Sequence, residues 1–199
     1  EAAAVGVVNT MIAADGGGWH GYNTDVLGVR EALEHAGAID GDGMNAVVLG
    51  SGGAARAGAY ALLQLGFSVT MLARSHEPVR KFADTYGIGL GSLSESVLVE
   101  LNPKVVVHAT PVGTQGRDEN ERLLPCYTPP PGTIVHDMVY QPVRTKLLED
   151  CLAAGAVVVP GVEMFLRQAR AQVRLFVGKD LSEDVLRSFL AGSTAAVRL

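Results

Sequence analysis

Residues 45–56 read Asn45-Ala46-Val47-Val48-Leu49-Gly50-Ser51-Gly52-Gly53-Ala54-Ala55-Arg56, and an Ala/Leu-rich stretch carries them on to Gly66. A short apolar run, a glycine turn and a helix-forming stretch in that order predict strand, turn, helix. Within the turn, Gly50, Gly52 and Ala55 fit G-x-G-x-x-A. The first glycine makes the tight turn, the second lets main chain approach a pyrophosphate, and the small third residue permits close helix-on-strand packing. The free N–H groups and dipole at the start of the helix favour an anion there. The motif alone is weak, but its position between strand and helix is the context it requires. Gly50, Ser51, Gly52, Gly53 and Ala54 are therefore the expected cofactor contacts.

Ser68 to Leu72 reads as a second strand, and Ala73-Arg74-Ser75 follows it. A site for NAD would carry Asp or Glu here to accept from the ribose hydroxyls. Instead, the guanidinium of Arg74 suits a 2′-phosphate, the Ser75 hydroxyl can donate to it, and no carboxylate repels it. NADP is the favoured cofactor. Arg80, on the next helix, either assists or is solvated.

Outward from this unit, Pro78 to Tyr86 reads as a helix stopped by Gly87, and Val105 to Ala109 and Ile134 to Met138 as buried strands. Residues 111–133, polar and rich in proline, read as a long loop near a ligand crevice. A helix from Thr145 to Ala154, a strand Val157 to Val159, and helices Val162 to Val177 and Ser182 to Leu190 complete the pattern, the last with Ser182 as its N-cap. Upstream, Val7 to Met11 and the segment around Tyr22 flank Gly16-Gly17-Gly18 as a hairpin, and Asp25 opens a helix through His35. The alternation predicts an α/β protein with a Rossmann-like doubly wound parallel sheet.

The chain has 199 residues, 48% hydrophobic and 19% charged, enough for a substantial core. A net charge of −5 and no Lys/Arg-rich run argue against nucleic acid and anionic membranes as partners, and leave a small molecule as the expected one. Cys126 and Cys151 have no CxxC spacing, so no metal site is expected and reduced thiols in the cytoplasm are. His20, His35, His76 and His136 show no ligand spacing and read as structural or solvated.

Further motifs carry a resemblance. Val-Val-Asn-Thr at residues 7–10, Gly-Tyr-Asn-Thr-Asp at 21–25, the 50–56 turn, Ala-Thr-Pro-Val-Gly at 109–113, Asp-Met-Val-Tyr at 137–140 and Gly-Val-Glu-Met-Phe-Leu-Arg-Gln-Ala at 161–169 occur in the order found in shikimate dehydrogenases. The chain resembles that family along its whole length. The 161–169 segment looks most like enzymes in which the dehydrogenase is fused behind a dehydroquinate dehydratase. The resemblance implies reversible NADP-dependent oxidation of shikimate to 3-dehydroshikimate. It also implies a remnant of an N-terminal α/β substrate domain at residues 1–28, the nucleotide domain at 29–160, and C-terminal helices at 161–199 packing toward the substrate domain.

By the same resemblance Asn9, Asp25, Tyr140 and Gln168 contact substrate, and Met138 and Gly161 line the nicotinamide end of the cofactor. Thr110, at the carboxyl end of a strand, is placed where doubly wound sheets bind ligands. Asp25 is the implied acid/base, because oxidising a secondary alcohol requires a group that takes the hydroxyl proton. Read from residue type alone, Asp25 is an N-cap, a role that need not exclude the other. The family pairs this aspartate with a lysine lying before Val7. Lys81, Lys104, Lys146 and Lys179 stand in other contexts, so the chain is expected to be the C-terminal part of a longer enzyme and to bind cofactor better than it turns over substrate. His108 replaces the family's usual asparagine and is expected to be tolerated. The rival expectations are a quinate/shikimate dehydrogenase using NAD, and a non-catalytic quinate-responsive sensor.

Overall fold

The computed structural model describes residues 1–116 and 118–196, the last six of them by their backbone only. A four-residue helix, Ala2–Val5 (α1), precedes two short strands, Thr10–Ala13 (β1) and Trp19–Tyr22 (β2). They pair antiparallel, Thr10 opposite Tyr22 and Ala13 opposite Trp19, around positive-φ turns at Gly17 and Gly18. Helix α2 follows at Asp25–His35, running unbroken across residues 28 and 29. Then β3 (Asn45–Leu49), α3 (Gly53–Gln64), β4 (Ser68–Ala73), a 3-10 turn at Glu77–Val79, α4 (Arg80–Tyr86), β5 (Gly89–Ser92), α5 (Glu95–Leu101), β6 (Val105–His108), β7 (Ile134–Asp137), α6 (Lys146–Ala153), β8 (Val157–Val159), α7 (Gly161–Val177) and α8 (Glu183–Ala196) complete the chain.

Strands β3 to β8 form one six-stranded sheet in the order β5-β4-β3-β6-β7-β8, parallel throughout. The predicted doubly wound sheet is thus observed. Because side chains alternate along a strand, Ala46 and Val48 of β3 face one core with helices α2, α3 and α4, while Val47 and Leu49 face another with α5 and α6. The chain leaves β3 toward β4 and β5, then returns to the other side of β3 as β6. The order therefore reverses between β3 and β6, and a crevice opens past their carboxyl ends.

Strand β5 and helix α5 were not foreseen in the sequence. Gly89 and Gly91 are poor strand formers, yet a Cβ on either would lie within 2.8 Å of the Thr70 or Leu72 side chain of β4, so glycine is what lets this edge strand close up. Helix α5 carries a readable cap, Ser94, which accepts from the Val97 N–H. The expected strands at 105–109 and 134–138 each stop one residue earlier. Of the 161–199 segment, residues 197–199 lie outside the described residues.

Candidate functional site

The first element of the site is the turn after β3. Gly50 has φ +128°, and a Cβ there would sit 2.9 Å from the Ala109 carbonyl, so only glycine fits between the ends of β3 and β6. At Gly52 a Cβ would meet nothing within 4 Å, leaving the main chain open to the crevice. Ala55 is fully buried, as close helix packing demands. Gly50 and Gly52 line a cleft of about 470 Å³ with Ser51, Arg74, Ser75 and Thr110. Arg74 is exposed at the end of β4. Arg80 is not part of this cleft: its guanidinium faces Glu77 at 3.6 Å on the outer surface. An open main-chain cradle, a helix N-terminus and a free guanidinium at one crevice fit a phosphorylated dinucleotide.

A second cleft, of about 330 Å³, adjoins the first through Ala109, Thr110 and Pro111 and is lined further by Ala54, Met138, Val139 and Tyr140. Tyr140 is half exposed, its ring stacked on Phe165 of α7 with centroids 5.1 Å apart and planes at 21°. Gly161 is buried where a Cβ would lie 2.5 Å from the Val139 carbonyl, so its lack of a side chain is explained by the packing of the α7 start against β7's exit.

The third element surrounds Asp25. The Asn9 side-chain amide donates to Asp25 Oδ1 at 2.9 Å and to Thr24 Oγ1 at 2.9 Å, while Asn9 Oδ1 accepts from the Thr24 N–H and the Thr10 hydroxyl. Thr24 Oγ1 donates to Gln168 Oε1 at 3.3 Å, and Gln168 Nε2 donates to the Phe165 carbonyl. Gln172 joins through Thr10. Helices α2 and α7 approach closely enough for this because residue 28 is glycine: a Cβ would lie 2.8 Å from the Met164 carbonyl.

Helix capping at this end belongs to Asn23, whose Oδ1 accepts from the N–H groups of Asp25 and Val26. The N-cap reading of Asp25 is therefore corrected: it stands at the first helical position with its carboxylate turned to Asn9. Burial raises the Asp25 carboxyl above its ordinary 3.8, against the opposing pull of the Asn9 hydrogen bond. A carboxylate so placed is a stronger base than a solvated one. None of the four lysines is paired with it: Lys104 donates to the Gly132 carbonyl, Lys146 to Asp150, and Lys81 and Lys179 are exposed.

Thus Asn9, Asp25 and Gln168 come together as one hydrogen-bonded group, Tyr140 and Met138 share the second cleft, and the glycine turn, Arg74, Ser75 and Thr110 share the first. Thr10, Asn23, Thr24 and Gln172 were missed in the sequence. The Asn-Thr-Asp run was a usable signal for the middle two; Thr10 and Gln172 carried none. A cleft of about 690 Å³ borders the group at Asn23 and Thr24, but Arg170 on its wall is drawn to Glu31 and Asp180 at 3.9 and 3.5 Å. Among the described residues no cluster of His, Cys, Asp or Glu could hold a metal ion, and no helix is long and apolar enough to cross a membrane.

No protein-family model matches the chain. It is 36% identical over 196 residues to the NADP-dependent shikimate dehydrogenase of Methanothermobacter thermautotrophicus, covering 95% of this chain and 68% of that protein. It is 37% identical over 198 residues to that of Halobacterium salinarum, covering 95% and 70%. Among solved structures, Thermus thermophilus shikimate 5-dehydrogenase in complex with NADP(H) and shikimate superposes with a TM-score of 0.79 at 32% identity, over 94% of this chain and 68% of that one. Quinate dehydrogenase from Corynebacterium glutamicum in complex with NAD gives 0.82 at 27% identity, over 96% and 70%.

Proposed function

The chain belongs to the shikimate dehydrogenase family, and from that premise we propose how its own residues divide the work of oxidising shikimate to 3-dehydroshikimate with NADP. NADP, when bound, supplies the acceptor for the hydride leaving the hydroxyl-bearing carbon. Gly50 to Ala54 would hold its phosphates on the α3 N-terminus, Arg74 and Ser75 its 2′-phosphate, and Thr110 and Met138 the stretch between the clefts.

The observation that carries the reading is the Asn9–Asp25 hydrogen bond inside the three-segment side-chain group. As the carbonyl forms, the hydroxyl proton must leave, and Asp25 is positioned and tuned to take it. Asn9 fixes the carboxylate's orientation, leaving its second oxygen for substrate. Gln168 and Tyr140, both tied to Phe165, border the same substrate from α7 and the second cleft. Arg74 supports NADP over NAD, and so disfavours the quinate/NAD alternative suggested by the C. glutamicum enzyme. A cytoplasmic setting is supported by two unpaired cysteines, of which Cys151 is buried with its thiol pushed up to about 11 by desolvation. The likeness of residues 161–169 to dehydratase-fused enzymes supports dehydroquinate dehydratase as a covalent partner.

The test is Asp25→Asn. Turnover of shikimate should fall about 10²- to 10⁴-fold, the usual yield of a positioned acid/base, with NADP affinity unchanged. Equal losses in both would remove the acid/base assignment.

A further inference from the structure

Beside the nucleotide cleft, four side chains form a continuous line, and of these the functional reading uses only Thr110. Thr145 Oγ1, at the N-cap of α6, donates to Asp137 Oδ2 at 2.6 Å. Asp137 Oδ1 accepts from the Val139 N–H at 3.0 Å and lies 2.8 Å from His108 Nδ1. His108 Nε2 contacts Thr110 Oγ1, and Thr110 borders both clefts. Asp137 is completely buried and His108 is 1% exposed, so none of the inner groups exchanges partners with water.

The proton positions follow from what each group can do. A carboxylate only accepts, so Nδ1 of His108 carries the hydrogen and points it at Asp137. With the ring neutral, Nε2 would hold only a lone pair, and the Thr110 hydroxyl would donate to it. Thr110 Oγ1 also receives the Val112 N–H at 3.4 Å. Its hydrogen is thereby committed inward, and what remains toward the cleft is a lone pair.

We propose that His108 is a positioning residue that fixes the polarity of Thr110, making this hydroxyl an acceptor for a neutral donor of the cofactor, a ribose hydroxyl or the carboxamide N–H, and not a contact for phosphate. A phosphate oxygen needs a donor, which Thr110 in this state does not offer. The asparagine that the family resemblance implies at position 108 has the same pair of functions, an N–H for the carboxylate and a carbonyl for the hydroxyl. The inference rests on the cleft being the NADP site.

The experiment measures NADP dissociation constants by fluorescence quenching, without turnover, together with the ring-nitrogen chemical shifts of ¹⁵N-histidine-labelled protein. His108→Phe and Thr110→Val should each weaken NADP roughly 3- to 10-fold, the range of one neutral hydrogen bond. The double variant should lose no more than either single one, and His108→Asn should restore affinity to within about 3-fold. The shifts should show His108 protonated at Nδ1 alone. Additive losses, an unchanged affinity in Thr110→Val, or an Nε2–H ring would overturn the inference while leaving the functional reading intact. Failure of the unaltered protein to bind NADP would overturn the functional reading, and this inference with it.

Discussion

At the nucleotide cleft the shape comes from main chain: Gly50 at φ +128° against the Ala109 carbonyl, Gly52 bare toward the crevice, and the start of α3 behind them. Around Asp25 the shape comes from side chains brought from three separate stretches, Asn9, Thr24 with Asp25, and Gln168, linked by hydrogen bonds. The first kind of site fails when a backbone is altered and is otherwise forgiving. The second depends on each donor and acceptor, and on two helices staying close.

The largest expected effect breaks the first region alone. Gly50→Val places a branched side chain at positive φ against a carbonyl, a strain of about 1–3 kcal/mol before the clash is counted. NADP affinity should fall roughly 100-fold or more, while the Asp25 carboxyl titration keeps its midpoint. A shift of both would show that the two regions are one. Next, Arg74→Ala removes one charge-assisted contact and should weaken NADP about 10- to 100-fold, sparing NAD. Unchanged discrimination between the two would remove the guanidinium from 2′-phosphate recognition.

These two variants touch residues that were legible in the sequence, and the reason is physical. A glycine required by φ and an arginine placed after a strand announce themselves at fixed spacing within one strand-turn-helix unit. Helix α2 was equally plain, and so was the sheet, whose apolar runs pattern locally. Strand β5 was hidden because Gly89 and Gly91 answer to the side chains of β4, a neighbour in space and not in sequence. Asp25 showed its residue type but not its partner. It does not cap the helix because Asn23, two residues earlier, accepts from the first N–H groups, those of Asp25 and Val26, and the Asp25 carboxylate turns to Asn9. The line from Thr145 to Thr110 spans residues 108 to 145 and left only one mark, a histidine where an asparagine was expected.

Smaller effects sharpen the side-chain region. Gly28→Ala gains helix propensity of about 1 kcal/mol but puts a Cβ 2.8 Å from the Met164 carbonyl, an overpacking that typically costs about 1–3 kcal/mol. The melting temperature should drop by a few degrees, and a rise would show that α2 and α7 tolerate separation. Smallest is the pH response of His136, fully buried, with Nδ1 on the Val159 carbonyl at 2.9 Å. Burial lowers its pKa below the ordinary 6.5 despite that bond. The unfolded chain then binds the extra proton first, so stability falls as pH drops below about 6.5. Urea midpoints should decline more between pH 7.5 and 5.5 for the unaltered protein than for His136→Gln; equal declines would assign the acid sensitivity elsewhere.

Asp25 carries the opposite sign from His136. Its raised carboxyl favours the protonated form in the fold, a contribution present below 3.8 and lost as pH rises through the folded value. Folding therefore pays at neutral pH for a base strong enough to take a proton from an alcohol. A ¹³C-carboxyl titration of Asp25 measures this without substrate. The midpoint should lie above 3.8 and move higher in Asn9→Ala, where the hydrogen bond that opposes burial is gone. A midpoint at or below 3.8, or one indifferent to Asn9, would contradict Asp25 as the tuned base of this site.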